Sequence, residues 1–202
     1  MPVTPSAGPA PAIADDLTAQ GWSQHDHFLP DDLTLALAAQ CRALSQAGAL
    51  QPSAVGRGAG QAVRHSIRGD RIGWLSEGQS AAVDRYLAIM DSLRLNLNRS
   101  LFLGLEDYES HFACYAPGAA YSRHLDRFRD DDRRTVSVVI YLNADWLPEH
   151  GGALRLYPPD QAARDVLPLG GRLALFLSAE MPHEVLPATR ERLSLAGWFR
   201  RR

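Results

Sequence analysis

Along Thr135-Val-Ser-Val-Val-Ile-Tyr-Leu142, apolar residues alternate with small or polar ones at period two. That period predicts a strand with two unlike faces. Val136, Val138, Ile140 and Leu142 share one face, and Thr135, Ser137, Val139 and Tyr141 the other. The chain closes on the same alternation, with Leu193, Leu195, Gly197 and Phe199 opposite Arg192, Ser194, Ala196 and Trp198. Between residue 107 and the end, similar short runs predict strands at 109–116, 121–126, 135–143, 153–157, 172–178, 183–187 and 193–199. Turn signals separate most of them: Pro117-Gly118, Asp130 to Asp132, Gly151-Gly152, Pro158-Pro159 and Gly170-Gly171. Many short strands with Gly/Pro turns predict a mostly β sandwich or barrel with helices packed outside.

The first half carries the helical period instead. Asp31-Asp32 after Pro30 is a helix start, and Leu33, Leu37, Ala38 and Leu44 recur on one face up to Gly48. A second helix is expected from about Ser80, with Val83, Leu87, Met90, Leu93, Leu97 and Leu101 as its stripe. Between them, Gln51 to Gln61 is too rich in Gly for regular structure and reads either as a surface connection or as a mobile lid. The expected organisation is a disordered Pro/Ala-rich leader over 1–14 and one domain over 15–202. Helical support would occupy 15–106 of it, and the barrel 107–202.

Composition narrows the chemistry. All 21 basic residues are Arg, which excludes Schiff-base, pyridoxal-anchoring and P-loop lysines. Cys41 and Cys114 are too few for a four-cysteine zinc site and read as buried, inert thiols of a reduced, cytoplasmic chain. A net charge of −2 argues against nucleic acid as the main partner. No run of apolar residues is long enough to span a bilayer, and no targeting segment is visible.

His124-Leu-Asp126 places two potential ligands on one face of a predicted strand, and His183 begins another short strand after Met181-Pro182. Two imidazoles and a carboxylate are the donor set of the facial triad that holds Fe(II) with open positions. His-x-Asp pairs are also common without a metal. Arg192, nine residues after His183, lies among apolar strand residues with no carboxylate on its strand face. It is either a surface charge at a strand start or a cation awaiting an anionic ligand, with Tyr141 able to add an O–H donor.

The segment His111-Phe-Ala-Cys-Tyr-Ala-Pro-Gly-Ala-Ala-Tyr-Ser-Arg-His-Leu-Asp126 resembles the metal strand of 2-oxoglutarate- and Fe(II)-dependent prolyl hydroxylases. Ile67-Arg-Gly-Asp-Arg-Ile-Gly-Trp74, Tyr141 to Trp146, Gly151 to Tyr157, Pro182 to Pro187 and Gly197-Trp-Phe199 each resemble a segment of the same family. The similarity is to the prolyl hydroxylase domain enzymes of the oxygen-sensing type and their bacterial relatives, from about residue 64 onward. It implies a double-stranded β-helix, the jelly-roll-like barrel. It also implies His124, Asp126 and His183 as catalytic iron ligands, Arg192 on the far carboxylate of 2-oxoglutarate, Tyr141 hydrogen-bonded to that carboxylate, and Tyr115 beside the cosubstrate. Arg190 is the nearby rival to Arg192 but falls two residues short of the family position.

The activity so implied is a prolyl hydroxylase of the prolyl 4-hydroxylase type. It would use Fe(II), 2-oxoglutarate and O2, with ascorbate as a reductant, and give hydroxyproline, succinate and CO2. The resemblance places Arg68, Asp70, Trp74, Arg134 and Trp198 at a substrate entrance, although core packing is an equal expectation for the two tryptophans. A protein such as translation elongation factor Tu is the expected partner. The alternatives are a hydroxylase of free proline or another small molecule, and a non-catalytic metal-binding sensor barrel. His25, His27, His65, His111 and His150 are expected outside the site, and Arg123, Arg127, Arg129, Arg133 and Arg134 in a solvated loop with their acidic neighbours.

Overall fold

The unlike faces of the last long strands decide the architecture, because each needs its own partner. In the computed structural model, which describes residues 10–53, 67–127 and 131–202, the apolar face meets helices and the other face lines a cleft between two sheets. Three helices are α1 (Ala10–Gln20), α2 (Asp31–Gln46) and α3 (Ala81–Leu101). The strands are β1 (Trp22–His25), β2 (Gln51–Pro52), β3 (Asp70–Trp74), β4 (Asp107–Tyr115), β5 (Tyr121–His124), β6 (Arg134–Tyr141), β7 (Leu154–Leu156), β8 (Arg164–Val166), β9 (Leu173–Leu177), β10 (His183–Val185) and β11 (Arg192–Arg200). They form a seven-stranded sheet in the order β1-β9-β6-β11-β4-β3-β2 and a four-stranded sheet in the order β5-β10-β7-β8. All pairings are antiparallel. Two such sheets facing one another make the double-stranded β-helix that the sequence resemblance implies.

Val136, Val138, Ile140, Leu193, Leu195 and Phe199 sit in one apolar cluster with Leu33, Leu37, Cys41, Val83, Tyr86, Met90, Leu93 and Leu97 of the helices. Burying each such side chain contributes about 1.5–3 kcal/mol. The helix layer therefore braces the large sheet from behind. Both helix starts are as expected: Pro30 precedes α2, and the Ser80 hydroxyl caps α3 by accepting from the Val83 N–H at 3.2 Å. Tyr141, Val139, Ala113, Tyr115, Phe176, Leu154, Leu156 and Val185 form a second cluster between the sheets.

Several expectations are corrected. The leader predicted as disordered over 1–14 is already helical from Ala10, because Ile13, Ala14 and Leu17 recur at helical spacing and are buried. Residues 1–9 lie outside the described residues. The segment expected to be helical support also contains β1, β2 and β3, and β8 was not foreseen. The reason is pattern: Trp22-Ser-Gln-His25 and Arg164-Asp-Val166 each carry a single apolar residue, so neither shows a period. His25 is not in a solvated turn but ends β1, opposite Leu173. Of the Gly-rich stretch, Gln51 and Pro52 pair with β3, while residues 54–66, where a lid was expected, lie outside the described residues. Among the described residues no helix is long and apolar enough to cross a membrane.

Candidate metal and cosubstrate centre

His124 ends β5 and His183 begins β10, and the two are directly opposed across the ladder. Asp126 was expected on the same strand as His124, but β5 stops at His124 and the chain bends through Asp126. The bend brings its carboxylate back: His124 Nε2 lies 3.4 Å from Oδ1, and His183 Nε2 lies 3.6 Å from Oδ2. One ligand atom from each of the three residues lies within 4.8 Å of the others.

Hydrogen bonds fix how these groups point. His124 Nδ1 lies 2.8 Å from the Ser122 carbonyl oxygen and His183 Nδ1 lies 3.0 Å from that of Met181. A carbonyl only accepts, so each Nδ1 carries a proton and Nε2 is the ring nitrogen left facing the shared point. Ser137 donates to Asp126 Oδ2 at 2.7 Å and is itself 2.8 Å from the Ser178 hydroxyl. Burial would raise the Asp126 carboxyl, but His183, His124 and the Ser137 hydroxyl together hold it well below the usual carboxylate range. Burial also lowers His183 against the pull of Asp126. An ionised carboxylate with two neutral imidazoles is the state a divalent first-row ion requires, and the residues fit one.

Arg192 lies in the same cavity, and it is not a surface charge: its exposure is 1%. Its Nε donates to the Gly152 carbonyl at 2.8 Å and its Nη1 to Ser194 Oγ at 3.3 Å. No carboxylate pairs with it among the described residues, and Nη2 has no hydrogen-bond partner. The Tyr141 hydroxyl, fully buried, likewise has none. Burial raises the Tyr141 phenol to about 12 although Arg192 pulls it down, so it stays an O–H donor. The Tyr115 and Tyr141 rings flank the guanidinium at 5.1 and 5.2 Å. A cation and a hydroxyl, both buried and both with unused donors, fit a carboxylate better than any apolar group. The rival Arg190 is exposed, donates to the Asp145 carbonyl at 3.4 Å and lies over Trp146.

The remaining expected residues divide. Arg68 and Asp70 line the cavity as a pair, with Arg68 donating to Asp70 at 2.7 and 2.9 Å and Ser53 to the same carboxylate at 2.6 Å. Arg134 and Trp198 also line it, with the guanidinium 3.5 Å above the indole. Trp74 does not reach the cavity wall; it is 53% exposed and its ring lies 6.5 Å from that of Trp198. Arg133 pairs with Asp131, and Arg127 and Arg201 with Asp132, as a solvated loop should.

Two lining groups, His111 and Tyr121, and one group behind the wall, Ser137, escaped the sequence. Ser137 was visible on the cleft-facing side of β6, and only its partner was not. His111, placed outside the site by its lack of a carboxylate neighbour, lies in the wall between Trp74 and Trp198 at 5.1 and 5.6 Å. It shares its face of β4 with Ala113 and Tyr115, which was the available signal. Tyr121 stacks on His124 at 3.6 Å with the rings 16° apart. Three residues of strand should separate their faces, but the register slips between β5 and β10, and the irregularity turns both inward. No spacing rule predicts that slip.

Comparison with known proteins agrees with this geometry. Residues 110–200 match the family model described as the 2OG-Fe(II) oxygenase superfamily. The rat protein Egl nine homolog 1 is 35% identical over 143 residues, 66% of this chain and 41% of its own length. The chain thus spans less than half the length of the curated relatives it matches. The crystal structure of a Pseudomonas putida prolyl-4-hydroxylase matches with a TM-score of 0.88 and 58% identity, covering 96% of this chain and 99% of that one. A prolyl hydroxylase from Trichoplax adhaerens, in complex with a hypoxia inducible factor oxygen degradation domain peptide, matches with a TM-score of 0.84 and 30% identity over 95% and 88% of the two chains.

Proposed function

The chain belongs to the 2OG-Fe(II) oxygenase superfamily and is a homologue of its prolyl hydroxylases; from that premise we propose that it hydroxylates a prolyl residue of a protein while 2-oxoglutarate is converted to succinate and CO2. The observation that carries the reading is that Arg192, buried in one cavity with the His124–Asp126–His183 cluster, and the adjacent Tyr141 hydroxyl have donors with no carboxylate or other partner among the described residues.

The family's cofactor is Fe(II), with 2-oxoglutarate and O2 as cosubstrates, and the bound ion supplies the redox chemistry that links O2 activation to decarboxylation. The protein supplies the rest. His124 and His183 offer Nε2, because their Nδ1 protons are held by backbone carbonyls. Asp126 offers Oδ1, because Ser137 occupies Oδ2. Arg192 and Tyr141 clamp the far carboxylate of 2-oxoglutarate by charge-assisted hydrogen bonds, and the Tyr115 ring fills the space beside it. Arg134 and Trp198 form a flat wall at the mouth, against which a proline ring packs. The apolar lining from Val138, Val139, Leu154 and Val185 keeps water away from the reacting carbon.

A protein substrate is favoured over free proline by the similarity to an enzyme solved with a peptide. Translation elongation factor Tu is the target we propose, with the reaction in the cytoplasm. The test is incubation of purified elongation factor Tu with the enzyme, Fe(II), 2-oxoglutarate and air, followed by mass spectrometry for one added oxygen on a proline. Asp126→Ala and His183→Ala should abolish both the added oxygen and succinate formation while the proteins remain folded. Succinate formation stimulated by free proline instead would transfer the reading to a small-molecule hydroxylase. No binding of Fe(II) and 2-oxoglutarate by folded protein, read anaerobically from their visible charge-transfer band, would leave a sensor barrel.

A further inference from the structure

At the mouth of the cavity, two like charges stand on neighbouring strands. Arg200 of β11 is opposite Arg134 of β6 and Asp107 of β4, while Trp198 is opposite Glu109. Two guanidiniums side by side repel one another, and directly opposed like charges destabilise a sheet. One carboxylate resolves this. Glu109 Oε1 accepts from Arg134 Nε and Nη2 at 3.1 and 2.9 Å, while Oε2 accepts from Arg200 Nη1 at 2.8 Å. Arg200 uses its remaining donors on Asp107, both at 2.7 Å. Held in this fork, the Arg134 guanidinium lies flat on the Trp198 indole. That indole is 6% exposed, and among the described residues its Nε1 has no hydrogen-bond partner to fix the ring.

We propose that Glu109 is a positioning residue: through Arg134 it fixes the plane of Trp198, and thereby sets how tightly the mouth receives the substrate. The carboxylate does two things that an apolar residue cannot. It orients the guanidinium by accepting from both Nε and Nη2 at the one oxygen Oε1, and it cancels the repulsion from Arg200 that would lift Arg134 off the ring. Because Glu109 lies outside the cavity lining, it acts only through its neighbours. The inference rests on the proposed prolyl substrate only for its kinetic consequence. The geometric part stands without it.

The experiment has two arms. In the first, full-length protein is labelled with 5-fluorotryptophan; its four tryptophans give four fluorine resonances, and Trp198→Phe assigns one of them. Glu109→Gln should shift or broaden the Trp198 resonance and leave those of Trp22 and Trp146 in place, whereas Glu109→Asp should restore it in part. An unchanged Trp198 resonance overturns the proposal. In the second arm, elongation factor Tu is titrated as substrate. Glu109→Gln should raise KM about fivefold with kcat within about twofold, and the affinity for 2-oxoglutarate unchanged, the loss of an exposed-to-half-buried ionic and cation–π contact. Combined with Arg134→Gln, the two effects should not add, since both act through one contact. Additive effects, or a fall in kcat with KM unchanged, overturn the positioning role. If wild-type enzyme leaves elongation factor Tu unmodified, the proposed substrate fails, and the fluorine arm alone decides Glu109.

Discussion

Replacing Arg192 by Met separates two contributions that the structure sets against each other. Met reaches only about as far as the Arg192 Nε, so the stem packing is kept, the cavity grows by the volume of the guanidinium head, and the buried charge is removed. Two free-energy changes then oppose one another in protein without cosubstrate. The Gly152 carbonyl loses the donor now at 2.8 Å, a cost of about 1–3 kcal/mol for an unsatisfied buried acceptor. Against this, a guanidinium that is 1% exposed and has no carboxylate partner among the described residues disappears. Apolar replacement of buried charges is often neutral or stabilising by about 1–4 kcal/mol. The net change in cosubstrate-free stability is therefore expected to lie within about 2 kcal/mol of zero. With cosubstrate the balance changes. Wild-type protein at a 2-oxoglutarate concentration 100 times its Kd should gain about 2.7 kcal/mol. Loss of a charge-assisted contact of ~1.5–3 kcal/mol raises Kd by roughly ten- to 150-fold. At the same concentration the variant should then gain only about 1.4 to 0.3 kcal/mol. The assay is urea denaturation of both proteins with and without 2-oxoglutarate, with Mn(II) present and air excluded so that nothing turns over. A variant that keeps the full ligand-induced gain would refute the clamp. A variant that loses more than about 5 kcal/mol without ligand would make Arg192 a structural residue.

Other consequences follow from single groups. Ser137→Ala leaves Asp126 Oδ2 without its donor, and metal affinity read by titration of metal-free protein should fall about 10–100-fold; unchanged affinity would remove the Ser137 contact from the argument. Burial, with Arg68 and Arg134 nearby, lowers His111 to about 4, so the folded protein keeps it neutral where the unfolded chain takes up a proton. Stability should therefore be full above the ordinary histidine value and be lost as pH falls from about 6.5 toward 4, by up to about 1.4 kcal/mol per pH unit. His111→Phe should flatten that slope in denaturation curves, and an equal slope would place the protonation elsewhere. Arg190→Ala should leave the requirement for 2-oxoglutarate unchanged in succinate assays; a requirement that rises with it would move the clamp to the exposed arginine.

The periodic segments were legible without tertiary structure because each carries many turns of its own pattern. Helix α3 shows its stripe over 21 residues, and β11 its two faces over 9. The oily face of β6 and β11 and the opposing face with Tyr141, Arg192 and Trp198 were fixed by period two alone. Strands β1, β2 and β8 were not legible, since none carries two apolar residues in alternation, as Leu154 and Leu156 do in the equally short β7.

The same division runs through the candidate site. His124, His183, Arg192 and Tyr141 could be named from residue types in a motif order, but whether Arg192 was buried could not. Burial depends on Gly152, in the loop before β7, and on Tyr115 of β4, which supply a carbonyl and a ring. Asp126 was named on a wrong premise: β5 ends two residues before it, and it joins the two imidazoles through a bend instead. Tyr121 and the Glu109–Arg134–Trp198 contact were beyond sequence reasoning altogether. The first needs a register slip and the second needs three strands side by side, and both are set by pairing rather than by any residue's own preference. Sequence by itself determined which faces are apolar and which chemical groups were on hand. Only the pairing of distant strands decided which of those groups are dehydrated together, and dehydration is what turns a histidine, a carboxylate and an arginine into a site.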